Sequence, residues 1–228
     1  MKLFLLFLII YSNCSQISGQ DQKIIFRRVD EPREKAFSML VPDGWVVEGG
    51  AIRITDASIA GANNMVDCKF DLAVKNNHEG SVMIRWLPEM LCIDQPYAWG
   101  NPEGAVFNNT LVRRKRDPLN FILQVAIPYA HPAAQNIRVV SSRRLPGLEA
   151  LYSSGIDPGM KMITNMTYSA MIAEFTYDEN GKSYAERMMA VIEDFGRNGG
   201  GLWKNRQCML IRAPAGELAI WEPLLNVI

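Results

Sequence analysis

The 228 residues carry 24 Lys and Arg against 24 Asp and Glu, and 48% of them are hydrophobic. That length and apolar content suffice for one large domain with a substantial core. Balanced charge leaves no global electrostatic pull toward nucleic acid or an anionic membrane, so no nucleic-acid partner is expected.

In chain order, Met1-Lys2, the unbroken apolar run from Leu3 to Tyr11 and the small, polar stretch from Ser12 to Gly19 form the three parts of a secretory signal. The apolar run is far shorter than the ~20 residues of a membrane-spanning helix. Residues 1–19 are therefore read as a signal peptide cleaved after Gly19, and residues 20–228 as a single exported domain, secreted or periplasmic. Cys14, just past the apolar run, offers an alternative: a lipidated cysteine holding the chain at a membrane. Tyr11-Ser12-Asn13 depart from the small residues expected beside such a cysteine, and each buried CH₂ of an acyl chain adds about 0.8 kcal/mol. In an oxidising compartment Cys68, Cys92 and Cys208 permit one disulfide with one thiol left over. The strand-like setting of Cys68 and the apolar run starting at Cys208 favour buried thiols for those two.

A strand is predicted at residues 36–41, a turn at Pro42-Asp43-Gly44 and a returning strand from Trp45 to Val47. It is interrupted at Gly49-Gly50 and resumes at 52–54, which makes a bulged hairpin. Val66, Cys68, Phe70, Leu72 and Val74 alternate with Asp67, Lys69, Asp71 and Lys75, the pattern of a strand with one wet face. Residues 76–80 turn the chain into a strand at 81–87, and residues 88–112 read as a long loop rich in Pro, Gly, Asn and aromatics. Asp117-Pro118 supply the N-cap and first-turn proline of a helix. Its apolar face is Leu119, Ile122, Leu123, Ala126 and Ile127, and it ends at 128–132. A short strand at 137–140 and a helix at 146–154, stopped by Gly155, follow. Residues 168–177 and 183–192 flank Asn180-Gly181, the preferred type I′ hairpin pair, and their middles are apolar on both faces, as in central strands. Residues 196–201 turn into a last strand ending near Ala213. Leu218, Trp221, Leu225 and Ile228 then share one face of a C-terminal helix kinked at Pro223. The fold class is α+β: an antiparallel sheet of six or seven strands with helices packed on its faces.

Phe37-Ser38-Met39-Leu40-Val41-Pro42-Asp43-Gly44-Trp45 resembles the opening of the Mog1/PsbP-like superfamily, where an apolar strand meets Pro-x-Gly-Trp. Trp221-Glu222-Pro223-Leu224-Leu225 is similar to that group's last helix, while the long 88–112 segment departs from its compact members. The resemblance implies an accessory or binding scaffold. It carries over no catalytic residues.

Little else in the chain points to chemistry. The glycine run from Gly196 to Gly201 lacks the Lys-Ser/Thr of a phosphate loop and precedes a strand, so it reads as a hairpin connection. His78 and His131 have no ligand-like spacing with other His, Cys or carboxylates, so no metal and no cofactor is expected. No nucleophile elbow is present. Asn108-Asn109-Thr110 and Asn165-Met166-Thr167 match the glycosylation sequon. Arg113-Arg114-Lys115-Arg116 is a basic run before the helix, read either as a solvated face or as a contact for an anionic partner. Tyr97 and Trp99 are loop aromatics suited to a binding surface. The expected function is an exported, non-enzymatic binding or accessory protein. Its partner, a protein or small ligand of the extracytoplasmic space, would meet Tyr97, Trp99, Arg113, Arg114, Lys115 and Arg116. An alternative is an exported hydrolase whose Glu89, Asp94 or Glu103 converge with His131. Another is a surface structural protein anchored through lipidated Cys14.

Overall fold

A computed structural model describes residues 24–156, 159 and 165–226; the predicted leader and Cys14 lie outside the described residues. β1 (Phe26–Asp30) and β2 (Ser38–Pro42) pair as a separate antiparallel ribbon. The main sheet has ten strands. In chain order these are β3 (Val46–Ile52), β4 (Lys69–Lys75), β5 (Met83–Trp86), β6 (Leu91–Ile93), β7 (Val106–Phe107), β8 (Thr110–Val112), β9 (Gln135–Arg144), β10 (Thr167–Glu179), β11 (Lys182–Asp194) and β12 (Leu202–Pro214). Its spine runs β3-β4-β5-β12-β11-β10-β9, with β6, β8 and β7 continuing from β12 beside β5. All pairs are antiparallel except β6 with β8. The helices are short: α1 (Ala57–Ala60), α2 (Pro118–Phe121), α3 (Ile127–Ala130), α4 (Pro146–Ser154) and α5 (Leu218–Trp221).

The β10–β11 hairpin forms where the sequence placed it. Asn180 and Gly181 both take positive φ, 52° and 75°, as a type I′ turn requires. Alternate residues of β11 then face opposite clusters. Tyr184, Met188, Ala190 and Ile192 pack on the helical segment 118–130, while Ala185 joins Met39, Val41, Trp45 and Leu218 on the other face. Two covered faces explain why these strands read as apolar on both sides. Ile122 and Ile127 are buried outright and contribute about 1.5–3 kcal/mol each.

Several expectations need correction. The sheet has ten strands rather than six or seven, because the segment read as a loop at 88–112 adds β6, β7 and β8. Residues 36–54 are not a hairpin: β2 pairs with β1, and β3 runs unbroken through Gly49-Gly50 to pair with β4. Both glycines allow close approach rather than a break. A Cβ at Gly49 would sit 2.0 Å from the Asp71 carbonyl oxygen, and one at Gly50 would sit 1.8 Å from Glu31 Oε1. The Glu31 carboxylate thus reaches the Ala51 amide at 2.8 Å and joins ribbon to sheet. β4 has no wet face at Lys69 and Lys75, which are both buried, whereas Phe70 is 37% exposed. Lys75 is satisfied by Glu48 at 2.6 Å and the His78 carbonyl at 2.8 Å. Helical backbone also continues through Pro128 to Ala130. A π turn over Ile122–Ala126 widens the ladder just before the proline, where the ring would otherwise crowd the carbonyl four residues back. The strand expected at 137–140 extends over all of β9, whose every residue is exposed; pairing with β10, not burial, makes it a strand. Cys68, Cys92 and Cys208 are all unpaired thiols, Cys92 and Cys208 buried and Cys68 half-buried.

Candidate functional site

The helical segment 118–130 begins as its sequence requires. Asp117 Oδ1 accepts from the Asn120 amide at 3.1 Å, and Pro118 occupies the first turn. Phe121 meets Trp203 of β12 edge-to-face at 6.3 Å. Trp203 Nε1 in turn donates to the Arg113 carbonyl at 2.9 Å, which fixes the chain just before the helix. The flank of the segment carrying Phe121, Val125 and Tyr129 stands opposite Ile52, Ile59, Met90 and Leu111. Between them lies a cavity of about 510 Å³. That volume falls in the range of small-molecule sites, about 300–1,000 Å³.

Three polar side chains reach this apolar wall, and two already have partners. Asn205 accepts from the Met90 amide at 3.0 Å and donates to the Pro88 carbonyl at 2.8 Å, pinning the 88–90 segment. Tyr129 donates to Asp71 Oδ2 at 2.6 Å, and Arg85 grips the same carboxylate at 2.8 and 3.0 Å. Burial first, and then the Asp71 carboxylate, push the Tyr129 hydroxyl up to about 12, so it stays a donor. Arg113 differs. Its backbone amide binds the Ile93 carbonyl at 3.0 Å, but its guanidinium makes no hydrogen bond or ion pair among the described residues. Its charge is felt nearby: burial pushes the Cys92 thiol up to about 12, with Arg113 pulling the other way.

The residues singled out in the sequence differ in what they touch. Arg113 lines the cavity. Arg114 donates to Gln95 Oε1 at 3.2 Å, Lys115 pairs with Asp194 at 2.5 Å and Arg116 pairs with Glu103 at 2.9 Å. Tyr97 packs its ring on Gly201, where a Cβ would come within 2.3 Å of it, and so fastens the loop to the glycine-rich turn. Trp99 is 88% exposed on a residue with φ of 50°. The carboxylates of the hydrolase alternative do not converge on His131. Glu89 holds Lys204 and Arg206, Asp94 accepts from the Lys115 amide, and Glu103 holds Arg116.

His131 instead belongs to a buried network that the sequence reading missed. Its Nε2 lies 2.7 Å from Glu186 Oε2 without hydrogen-bond alignment, and Glu186 Oε1 meets no donor among the described residues. Tyr177 donates to Glu186 Oε2 at 3.0 Å. Arg212 donates to Glu179 Oε2 at 2.6 Å and to the Gly80 carbonyl at 2.6 Å, and lies 4.5 Å over the Tyr184 ring. Burial, and then Glu186, raise the Tyr177 hydroxyl far above its ordinary value. With Glu186 fully buried and His131 3% exposed, the network reads as a scaffold that joins the end of α3 to β10, β11 and β12. Its available signal was Glu186 and Arg212 recurring inside otherwise apolar strands. Among the described residues no group of three or more His, Cys, Asp or Glu is placed to hold a metal, and no helix is long and apolar enough to cross a membrane.

A scan of family models, a search of curated proteins and a search of solved structures each return no significant match to this chain.

Proposed function

We propose that this is an exported binding or accessory protein of Mog1/PsbP-like fold, and that its cavity takes a small amphipathic molecule with an apolar body and an acidic group. The single observation behind the ligand reading is the Arg113 guanidinium, the one polar side chain of the three on this largely apolar wall without a partner among the described residues, in a cavity of about 510 Å³. An apolar chain would replace water against Ile52, Met90, Phe121 and Val125, and a carboxylate would meet Arg113. Of the 88–116 segment expected from sequence to be the partner surface, Pro88, Met90, Gly104, Leu111 and Arg113 line this wall, and Arg114, Lys115 and Arg116 do not.

Displacement of a fluorescent apolar probe by dodecanoate, dodecylamine and dodecanol tests the idea. A charged hydrogen bond is worth about 1.5–3 kcal/mol, so dodecanoate should bind roughly 10- to 150-fold tighter than the alcohol. Arg113→Leu should erase that preference while leaving alcohol affinity intact. Equal binding of all three ligands by the unaltered protein would refute the assignment. Export is tested separately by sequencing the mature N-terminus, which should begin at Gln20.

A further inference from the structure

β5 joins β4 to β12 over only part of their length, pairing Leu72–Lys75 on one side and Met209–Arg212 on the other. Leu87 still donates to the Cys208 carbonyl at 2.9 Å, but past it the chain leaves β12 until β6 returns at Leu91, and β4 and β12 continue with no β5 between them. A cleft of about 470 Å³ opens there, walled by Cys68, Lys69 and Phe70 on one side and by Lys204 and Arg206 on the other. It shares only Leu87 with the apolar cavity.

Lys69 is the unusual group in this cleft. Its side chain is 2% exposed, yet its one ion pair among the described residues is to Asp67 Oδ2 at 4.0 Å, beyond hydrogen-bond distance. Asp67 is itself 70% exposed and so is a weak, solvated counter-charge. The Lys69 stem is enclosed while its ammonium is not sealed off: it opens onto the cleft, where a ligand acceptor would replace water. Across the cleft Lys204 and Arg206 share Glu89 at 2.9 and 2.8 Å, with Lys204 also 3.1 Å from Glu193. Arg206 uses only its Nη1 in that contact, leaving Nε and Nη2 without partners among the described residues. Three cations therefore line the cleft against Asp67 and Glu89, with Trp86 and Phe70 beside them.

We infer that this cleft is a second binding site, for a small molecule bearing a carboxylate or phosphate, with Lys69 and Arg206 holding the oxyanion and Trp86 and Phe70 flanking its apolar part. Cys68 lies in the same cleft and supplies the readout, since Cys92 and Cys208 are buried. The rate of Cys68 modification by a neutral disulfide, dithiodipyridine, is measured with inorganic phosphate, with benzoate and with chloride alone at constant ionic strength. Cys68→Ser provides the background. At a tenfold excess of anion over its Kd, modification should slow about tenfold. Lys69→Met should abolish that protection with an unchanged circular dichroism spectrum. If Lys69→Met does not fold, Arg206→Gln, on the more exposed wall, should weaken it instead. Protection by phosphate alone identifies a phosphate-bearing ligand, and protection by benzoate alone a carboxylate. Equal rates in all three salts, or protection that survives both substitutions, would overturn the inference.

Discussion

Replacing Arg212 by Met is the sharpest test of how the sheet is held together. The side chain is 5% exposed, and its guanidinium donates to Glu179 at 2.6 Å, to the Gly80 carbonyl from Nε and Nη2, and to the Glu79 carbonyl at 3.1 Å. Methionine keeps much of the apolar stem but strands the Glu179 carboxylate, whose side chain is 13% exposed, and two loop carbonyls. Removing one partner of a buried ion pair costs about 3–5 kcal/mol, more than any packing the thioether restores. At roughly 2–4 °C per kcal/mol for a chain of this size, the lower bound alone lowers Tm by about 6–12 °C. Urea unfolding of the single variant, of Glu179→Gln and of the double variant closes a thermodynamic cycle. The double variant should recover about 0.5–3 kcal/mol relative to additivity, because the Glu179 charge that Arg212 paired is then gone as well. A loss below about 1 kcal/mol in Arg212→Met, or strict additivity, would refute the view that this network is an integral part of the core.

Other expectations follow from local geometry. The Glu31 carboxylate would be raised by burial alone, but amide donors from Arg33, Ala51 and Glu34 outweigh that and hold it down to about 2. An unfolded glutamate titrates near ~4.3, so the folded pKa is the lower one. The stabilisation is complete above about pH 4.5 and lost as pH falls toward 2; Glu31→Gln should flatten that acid limb of Tm against pH, and an unaltered slope would contradict the assignment. Gly50→Ala, whose Cβ would intrude on Glu31 Oε1, should reproduce the flattened limb. Gly181→Ala forces a side chain into the left-handed region at φ 75° and should cost about 1–2 kcal/mol in urea melts. Burial raises the Cys92 thiol to about 12 and the Cys208 thiol beyond it. Iodoacetamide at about pH 8 should therefore label Cys68 ahead of both, as peptide mass spectrometry would report.

How much of this was legible depends on where each residue's partner lies. The β10–β11 hairpin was readable because its turn, register and apolar middles are all local. The capped start of the 118–130 segment was readable for the same reason. β1 was not, since Phe26–Asp30 is a strand only by virtue of β2, and Val41 and Trp45 are drawn to one cluster instead of across a hairpin. Gly49-Gly50 looked like an interruption because the sequence does not reveal that Glu31 needs the space. Lys69 and Lys75 suggested a wet face since period-two alternation cannot tell solvent from a second covered layer. The basic run at 113–116 was visible as charge, but only the fold separates Arg113, on the cavity wall, from three neighbours with surface partners. The cavity itself was unreadable because its walls come from β3, α1, the 88–113 segment, the helical segment and β12, which only the fold brings together.

The proposed occupancy of this cavity is tested most directly by hydrogen exchange with and without saturating dodecanoate. Amides of the helical segment 118–130 and of 90–93 and 111–113 should exchange more slowly in the complex, while the exposed edge strand β9 should not change. Unaltered exchange along both cavity walls, or protection confined to β9, would contradict the account.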